Sequence, residues 1–431
     1  MHSLIKTCAL TATLSAFAVE KPNVIIIMAD DLGYGDLGCY GNSEIKTPNL
    51  DQMAAEGIRF TDFHSNGPVC SPTRAALLTG KYQQRVDIAG VVTAKKHRHH
   101  GLKPAEKTFA ETMKENGYTT GIFGKWHLGY DKKFNPIEQG FDEYIGFVSG
   151  NVDYHSHVDQ EGYEDWWSGT TLQKEKGYTT DLVTKHSVNF IKKHKDKPFV
   201  LYVPHEAPHY PIQGRESKPE RTIGKKVKNP HGKAKNKVEV YREMIEVMDE
   251  GIGEIITTLK SLKLDKKTLV LFLSDNGGTI KYACAENGGL RDGKGSVFEG
   301  GHRVPAIAWW PDTIKSSQTS NALLTTMDIY PTIVDLADGK SPQDLDGISF
   351  RNHLLTAEKV PSRDIFWEFK EKFAARSGSW KLVKETPDSK PLLFNLSNDL
   401  AEKKNLAPKH PELTSELTKK IDKWYADVSK K

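Results

Sequence analysis

Val24-Ile25-Ile26-Ile27-Met28-Ala29-Asp30-Asp31 sets a continuous apolar run directly against two carboxylates. A run without polar alternation is the pattern of a strand covered on both faces, as in parallel sheets flanked by helices. Two further segments repeat it, and a third, Thr119 to Phe123, follows the helix stop at Asn116-Gly117. Thr119-Thr120-Gly121-Ile122-Phe123 leads into Lys125-Trp126-His127, Phe199-Val200-Leu201-Tyr202-Val203 into His205 and His209, and Thr268-Leu269-Val270-Leu271-Phe272-Leu273 into Asp275-Asn276. Helical patterns lie between the strands. The amphipathic stretch from Thr108 to Glu115 stops at Asn116-Gly117, and Val240, Met244, Val247, Met248, Ile252, Ile255, Ile256 and Leu259 keep three-to-four spacing from Val238 to Leu262. Strands alternating with helices predict an α/β layered fold.

In open α/β sheets ligands bind beyond the carboxyl ends of the strands. Four strands therefore aim polar groups at one rim. Each residue alone has a bland reading, Asp30 or Asp275 as a helix cap and His127 as a satisfied core histidine, but together they describe a site. The oxygen-rich set of Asp30, Asp31, Asp275 and Asn276 suits a hard divalent cation, calcium or magnesium rather than zinc. Arg74, Lys125 and Lys294 form a cationic set suited to an anionic group whose charge grows in a transition state. Lys294 stands in Gly293-Lys294-Gly295, ahead of Glu299-Gly300-Gly301.

Cys70 heads Cys70-Ser71-Pro72-Thr73-Arg74, with Leu78-Thr79-Gly80 behind it. The ordinary fate of a lone cysteine is a buried, inert thiol. Here the motif C-x-P-x-R resembles the maturation signal of type I sulfatases, and the resemblance runs from about Pro22 to near the C-terminus. It is carried by Pro22-Asn23-Val24 through Asp30-Asp31-Leu32-Gly33-Tyr34-Gly35-Asp36, the Cys70 motif, Gly124-Lys125-Trp126-His127-Leu128-Gly129 and Ala207-Pro208-His209-Tyr210-Pro211. Ser274-Asp275-Asn276-Gly277-Gly278, the Lys294 and Glu299 glycine segments and Asp328-Ile329-Tyr330-Pro331-Thr332 continue it.

The resemblance implies an alkaline phosphatase-like fold, a large mixed and mostly parallel sheet flanked by helices, with a small C-terminal α+β subdomain. It implies that a formylglycine-generating maturation enzyme oxidises Cys70, and that Asp30, Asp31, Asp275 and Asn276 bind calcium together with the modified Cys70. One oxygen of the hydrated aldehyde would attack sulfur in line and expel the alcohol, splitting one hard step into two. His209 and Lys294 would assist the leaving group, Lys125 and Lys294 grip sulfate oxygens, Arg74 hold the hydrate, and His127 act as base when sulfate is eliminated. Two other readings keep the same motifs. One is a phosphodiesterase or phosphonate hydrolase of the same superfamily, the other a carbohydrate-binding pseudoenzyme that never acquires the aldehyde.

The expected substrate is a sulfated carbohydrate. Gly146 to His157 resembles the region that approaches the sugar in arylsulfatase B-like members, which makes Ser149, His155 and His157 candidates, with His205 a further one. Trp166-Trp167 would suit stacking on a pyranose, although tryptophans more often serve a core. His97, His99 and His100 stand in Lys-Lys-His-Arg-His-His, a basic surface loop or a second metal site.

The chain has 431 residues with 37% apolar and 27% charged composition, a soluble globular profile long enough for one large domain and a smaller one. Its formal charge of +4 is local: residues 215–237 hold nine Lys and Arg against Glu216 and Glu220. That run is a solvated loop or a grip for a polyanionic substrate. No nucleic acid is expected as a partner, and no segment is long and apolar enough for a membrane span. Lys6, an apolar stretch and Ala16-Phe17-Ala18 read as a signal peptide over residues 1–18, so the protein is expected in the periplasm or secreted. Cys39, Cys70 and Cys284 would remain, no disulfide framework, with pairing of Cys39 and Cys284 open. The catalytic domain is expected over residues 19–345 and the C-terminal subdomain over 346–431. Strand-like pieces at 365–369, 380–383 and 392–396 and a helix from Pro411 to Asp427 fill the latter.

Overall fold

The computed structural model describes residues 21–430, so the expected leader over 1–18 lies outside the described residues. A ten-stranded sheet runs in the order β11 (Gln318–Ser320), β2 (Ile58–Phe60), β10 (Ala306–Trp309), β9 (Thr268–Ser274), β1 (Asn23–Ala29), β8 (Phe199–Pro204), β4 (Thr119–Lys125), β5 (Glu143–Phe147), β6 (Trp167–Ser168) and β7 (Thr171–Leu172). β1 lies at its centre, parallel to both β8 and β9. β4 is parallel to β8 and β5, while β10, β6 and β7 run antiparallel to their neighbours. A two-stranded pair, β3 (Phe63–His64) with β12 (Leu324–Thr325), stands apart.

The alternation of side chains along a strand divides the apolar run of β1 between two cores. Val24, Ile26 and Met28 enter one cluster with α2 (Cys70–Thr79), α3 (Phe109–Glu115) and the helix Ile329–Leu336. Ile25, Ile27 and Ala29 enter the other with α1 (Pro48–Glu56), α4 (Thr179–Lys193) and α5 (Lys237–Ser261). The result is a helix–sheet–helix sandwich, and every residue of β1 is buried. α3 starts where its sequence says it should, because Thr108 and Glu111 form a reciprocal capping box. Among the described residues no helix is long and apolar enough to cross a membrane.

A third cluster holds the C-terminal part together. β13 (Asp364–Phe369), β14 (Lys372–Ser377), β15 (Trp380–Lys384) and β16 (Leu392–Asn395) form an antiparallel sheet backed by the helix Pro411–Val428. Trp367, Leu382 and Phe394 meet Val69, Ala76 and Phe298 of the large layer in that cluster. Phe350 and Leu354 pack instead into the first core of the large sheet. Cys39, Cys70 and Cys284 are all free thiols, which answers the pairing question for Cys39 and Cys284.

Candidate active site

Backbone bonds carry the sheet's order past the strand ends. Asp30 N–H donates to Ala207 O at 3.0 Å, His205 N–H to Met28 O at 2.9 Å and Asp275 N–H to Ala29 O at 3.0 Å. The residues that follow β1, β8 and β9 are therefore held at one rim. Cys70 opens α2 beside them, with a side chain only 2% exposed. Its Sγ lies 3.4 Å from Asp30 Oδ1 and 3.4 Å from Lys294 Nζ. The unpaired N–H groups at this end of the helix favour negative charge there. Burial pushes the Cys70 thiol up and the Asp30 charge adds to that, against Lys125 and Lys294. The encoded side chain is thus a neutral thiol, the opposite of an activated thiolate.

Three carboxylates and three cations surround it. Lys125 Nζ meets Asp30 Oδ2 at 2.5 Å, Lys294 Nζ meets Asp31 Oδ1 at 2.6 Å, and Arg74 Nη2 meets Asp275 Oδ2 at 2.8 Å. Burial alone would lower both ammonium groups, but Asp30 and Asp31 outweigh it and push Lys125 and Lys294 up. Burial would raise Asp31, yet the charges of Lys294 and His209 hold it well below the usual carboxylate range. Arg74 also donates from Nη1 to Lys125 O at 3.1 Å, so it ties the ends of β9 and β4 together.

His127 and His209 complete the rim. His127 Nε2 lies 3.1 Å from Val92 O and donates to it, which leaves Nδ1 with the lone pair; Nδ1 is buried and has no partner among the described residues. Burial lowers this ring well below its usual pKa, and the charges of Lys125 and Arg74 lower it further. Its backbone has φ 60° and that of Asp31 φ 64°, left-handed conformations that cost a non-glycine residue energy and gather at functional sites. A Cβ on Gly150 would stand 2.7 Å from His127 Nε2, so a glycine there is what lets the ring sit close. His209 Nδ1 donates to Tyr210 O at 2.6 Å, and its Nε2 faces Asp31 Oδ2 at 3.6 Å.

Cys70, His127, His209 and Lys294 open on one cavity of about 220 Å³, with Ser149 in its wall. The other expected substrate residues lie elsewhere. His155 bonds Gly214 O at 3.0 Å, His157 stacks on Trp166 at 4.6 Å between ring centroids, and His205 is fully buried with neither ring nitrogen paired among the described residues. Burial brings His157 down to about 4 and His205 down to about 3, so both stay neutral. Trp166 is 2% exposed and holds Glu175 through its indole N–H, which makes it a core residue. His99 pairs with Asp131 at the surface and His97 accepts from Thr93, as a basic loop would. Residues the sequence did not single out, among them Val92, Asn151, Gln160, Glu161 and Tyr210, line the cavity. Asp165 shapes the wall by accepting from the N–H groups of Val148 and Ser149.

Of the expected carboxylate ligands, Asp30 and Asp31 belong to a group that could hold a metal ion, while Asp275 lies outside it and pairs with Arg74. Ligand atoms of Asp30, Asp31, Cys70 and His209 all lie within 4.8 Å of one another. Asn276 supplies the sharper test: its Oδ1 is buried and unpartnered among the described residues, while its Nδ2 donates to Asp31 Oδ1 at 2.8 Å. A buried amide oxygen without a donor calls for a cation or water beside it.

Residues 22–339 match the profile of the Sulfatase family, and residues 289–427 match that of the C-terminal part of N-sulphoglucosamine sulphohydrolase. The N-acetylgalactosamine-6-sulfatase of Mus musculus is 34% identical over 393 residues, covering 85% of this chain and 72% of that protein. Arylsulfatase A of Bos taurus is 33% identical over 96% of this chain and 89% of its own length. Among solved structures, Ps i-CgsB in complex with k-i-k-neocarrahexaose superposes with a TM-score of 0.84 at 30% identity, covering 94% of this chain and 93% of that one. With the sheet, the Cys70 motif and these likenesses in agreement, the chain belongs to the sulfatase family, as a type I sulfatase and sulfuric ester hydrolase.

Proposed function

We propose that this enzyme hydrolyses sulfate monoesters on a sulfated carbohydrate, with Cys70 oxidised to formylglycine and calcium bound at Asp30, Asp31, Asp275 and Asn276. One observation carries the reading. Cys70 stands 3.4 Å from both Asp30 and Lys294, in a cavity lined also by His127 and His209. A relative named N-acetylgalactosamine-6-sulfatase and a neighbour solved with a neocarrahexaose support the carbohydrate. A leader over residues 1–18, as the sequence suggests, would put its action in the periplasm or outside the cell, with a maturation enzyme as the implied partner.

Formylglycine supplies a hydrated aldehyde as nucleophile, and calcium supplies a Lewis acid that neutralises sulfate oxygens. The chain's own groups do the rest. Lys125 and Lys294, held fully charged, offer N–H donors to sulfate oxygens where negative charge grows, the stabilisation that dominates many such reactions. In this reading Lys294, held charged, donates to the leaving oxygen, and His209 lines the same cavity. Arg74 fixes Asp275 and the end of β4, and so keeps the nucleophile's surroundings in register. His127, neutral and with its tautomer fixed by Val92 O, takes a proton at Nδ1.

The test is sulfate release from a panel of sulfated sugars, run beside matched phosphate esters, with mass spectrometry of the Cys70 peptide from native-host protein. Sulfate release with an aldehyde at Cys70 is expected. A preference for phosphate, or an unmodified thiol in active protein, would sink the reading.

A further inference from the structure

A second cavity, of about 560 Å³, adjoins the catalytic one and shares Val91, Val92, Thr93, Lys95, Gln160 and Glu161 with it. Its size falls within the roughly 300–1,000 Å³ of small-ligand sites. Phe369 and Lys370, at the hairpin turn between β13 and β14, complete the lining, so both the large layer and the C-terminal sheet build it.

The lining is cationic in effect. Its two acidic residues are engaged elsewhere, Asp87 by Lys103 at 3.3 Å and Glu161 by Lys226 at 2.9 Å. Lys95, Lys96 and Lys370 also line it, and among the described residues no carboxylate forms an ion pair with any of the three. The hairpin offers an independent sign. Phe369 pairs with Lys372, so the loop is the two residues Lys370 and Glu371, with φ 52° and 62°. Two-residue loops of this left-handed kind favour Asn-Gly or Asp-Gly, which adopt it with little strain. A lysine held in that conformation against a cavity is a choice made against the turn's own stability.

Resting on the reading of a glycan sulfatase, we propose that this second cavity is a subsite for a further anionic sugar unit of the same glycan chain, whose sulfate or carboxylate is held by Lys95, Lys96 and Lys370. Chain length, and not the scissile ester alone, then sets affinity.

The test is calorimetric titration of full-length Cys70→Ala protein, which cannot turn over, with disaccharides and hexasaccharides prepared from chondroitin sulfate and from carrageenan. Chondroitin probes carry carboxylate and sulfate, carrageenan probes sulfate only, so the two arms tell which group the lysines hold. The hexasaccharide of at least one glycan is expected to bind at least tenfold more tightly than its disaccharide. Lys96→Ala with Lys370→Asn in the same background should cut that advantage at least fivefold. Asparagine tolerates the left-handed backbone, so the hairpin survives, and a melting curve verifies it. Equal affinity for both lengths in both glycans, no binding of either, or an advantage that the double variant leaves intact would overturn the subsite. Sulfate release from the disaccharides by matured Cys70 protein, run in parallel, separates that outcome from failure of the sulfatase reading. Absence of release from every probe would overturn both.

Discussion

Asp30, Asp31 and Asp275 face Arg74, Lys125 and Lys294 at the rim of the large sheet, while Asp62, Glu299 and Glu402 face Arg303, Arg376 and Lys381 at the seam with the C-terminal sheet. Both sets are buried apart from Lys294, whose side chain is 19% exposed, and both regions include residues at spacings that would suit a metal ion. At the seam, though, Lys381 Nζ stands 2.9 Å from Glu299, 2.9 Å from Glu402 and 3.0 Å from His302, where an ion would have to sit. His64 turns one ring nitrogen to Asp62 at 2.8 Å and the other to His302 at 2.9 Å. The seam closes on itself. At the rim, among the described residues, Asn276 Oδ1 and His127 Nδ1 stay unpaired, and His127 lines the Cys70 cavity. Ligand spacing is therefore a poor guide to function by itself, and unpartnered polar atoms next to a cavity are a better one.

The contrast breaks first, and hardest, at Cys70. Cys70→Ala should lower sulfate release by about 10³-fold or more, because it removes the nucleophile, with a melting temperature close to that of the parent. Lys294→Ala should lower kcat/KM by roughly 10²–10³-fold, the scale for losing a transition-state donor; steady-state kinetics on a small sulfate ester reads it. The seam should answer in another quantity. Lys381→Met strands Glu299 and Glu402 and should cost about 3–5 kcal/mol in denaturant unfolding, with kcat per folded molecule little changed. A fall in kcat without a fall in stability would erase the distinction between the two clusters. Metal supply sharpens it further. Calcium at about a hundredfold over its dissociation constant should stabilise the parent by about 2.7 kcal/mol against a chelator. Asn276→Ala should weaken that response at least tenfold in calcium, while Lys381→Met leaves the calcium dependence in place. Zinc found at this site by metal analysis would contradict the oxygen-ligand argument.

The smallest effect concerns pH. Burial and the charges of Lys125 and Arg74 hold His127 well below 6.5. Its base form therefore persists as pH falls through 6.5 and is lost only below that, so the acid limb of kcat, which includes the elimination step, should lie under pH 6.5. A limb at or above 6.5 that vanishes in His127→Gln would show that the ring is charged more readily than its surroundings allow.

The rim was legible in the sequence because it is tied to strand ends by one or two peptide bonds. Asp30, Lys125 and Asp275 cannot stray far from β1, β4 and β9; an unbroken apolar run marks β1 and β9, and the helix stop at Asn116-Gly117 precedes β4. The cavity walls were not, because 91–95 and 159–161 are irregular and their neighbours lie far off in the chain. His157 shows how close spacing misleads: at φ 53° its backbone turns left-handed, and the ring stacks on Trp166 away from the cavity. β14 was missed because Ala374 and Ala375 blur the alternation of its faces, although both are fully buried. Lys381 lies in the strand-like piece at 380–383 with nothing in the sequence to mark it, and only the fold brings Glu299 and Glu402 around it. Lys370 was likewise unremarkable until its turn was seen.

The position of Cys70 also dictates an order of events. All ten residues of α2 are buried, and the thiol is 2% exposed under Asp30 and Lys294. Were Cys70 oxidised as proposed, a macromolecular catalyst would have to reach the segment before the helix and its cover form. Helix formation and oxidation are then competitors in time, and the strands that seal the site, β1 and β9, are joined only after more than two hundred residues of chain have been made. On that proposal, the length of the intervening chain would be a waiting period, and the fraction of molecules that become enzymes would be fixed within it.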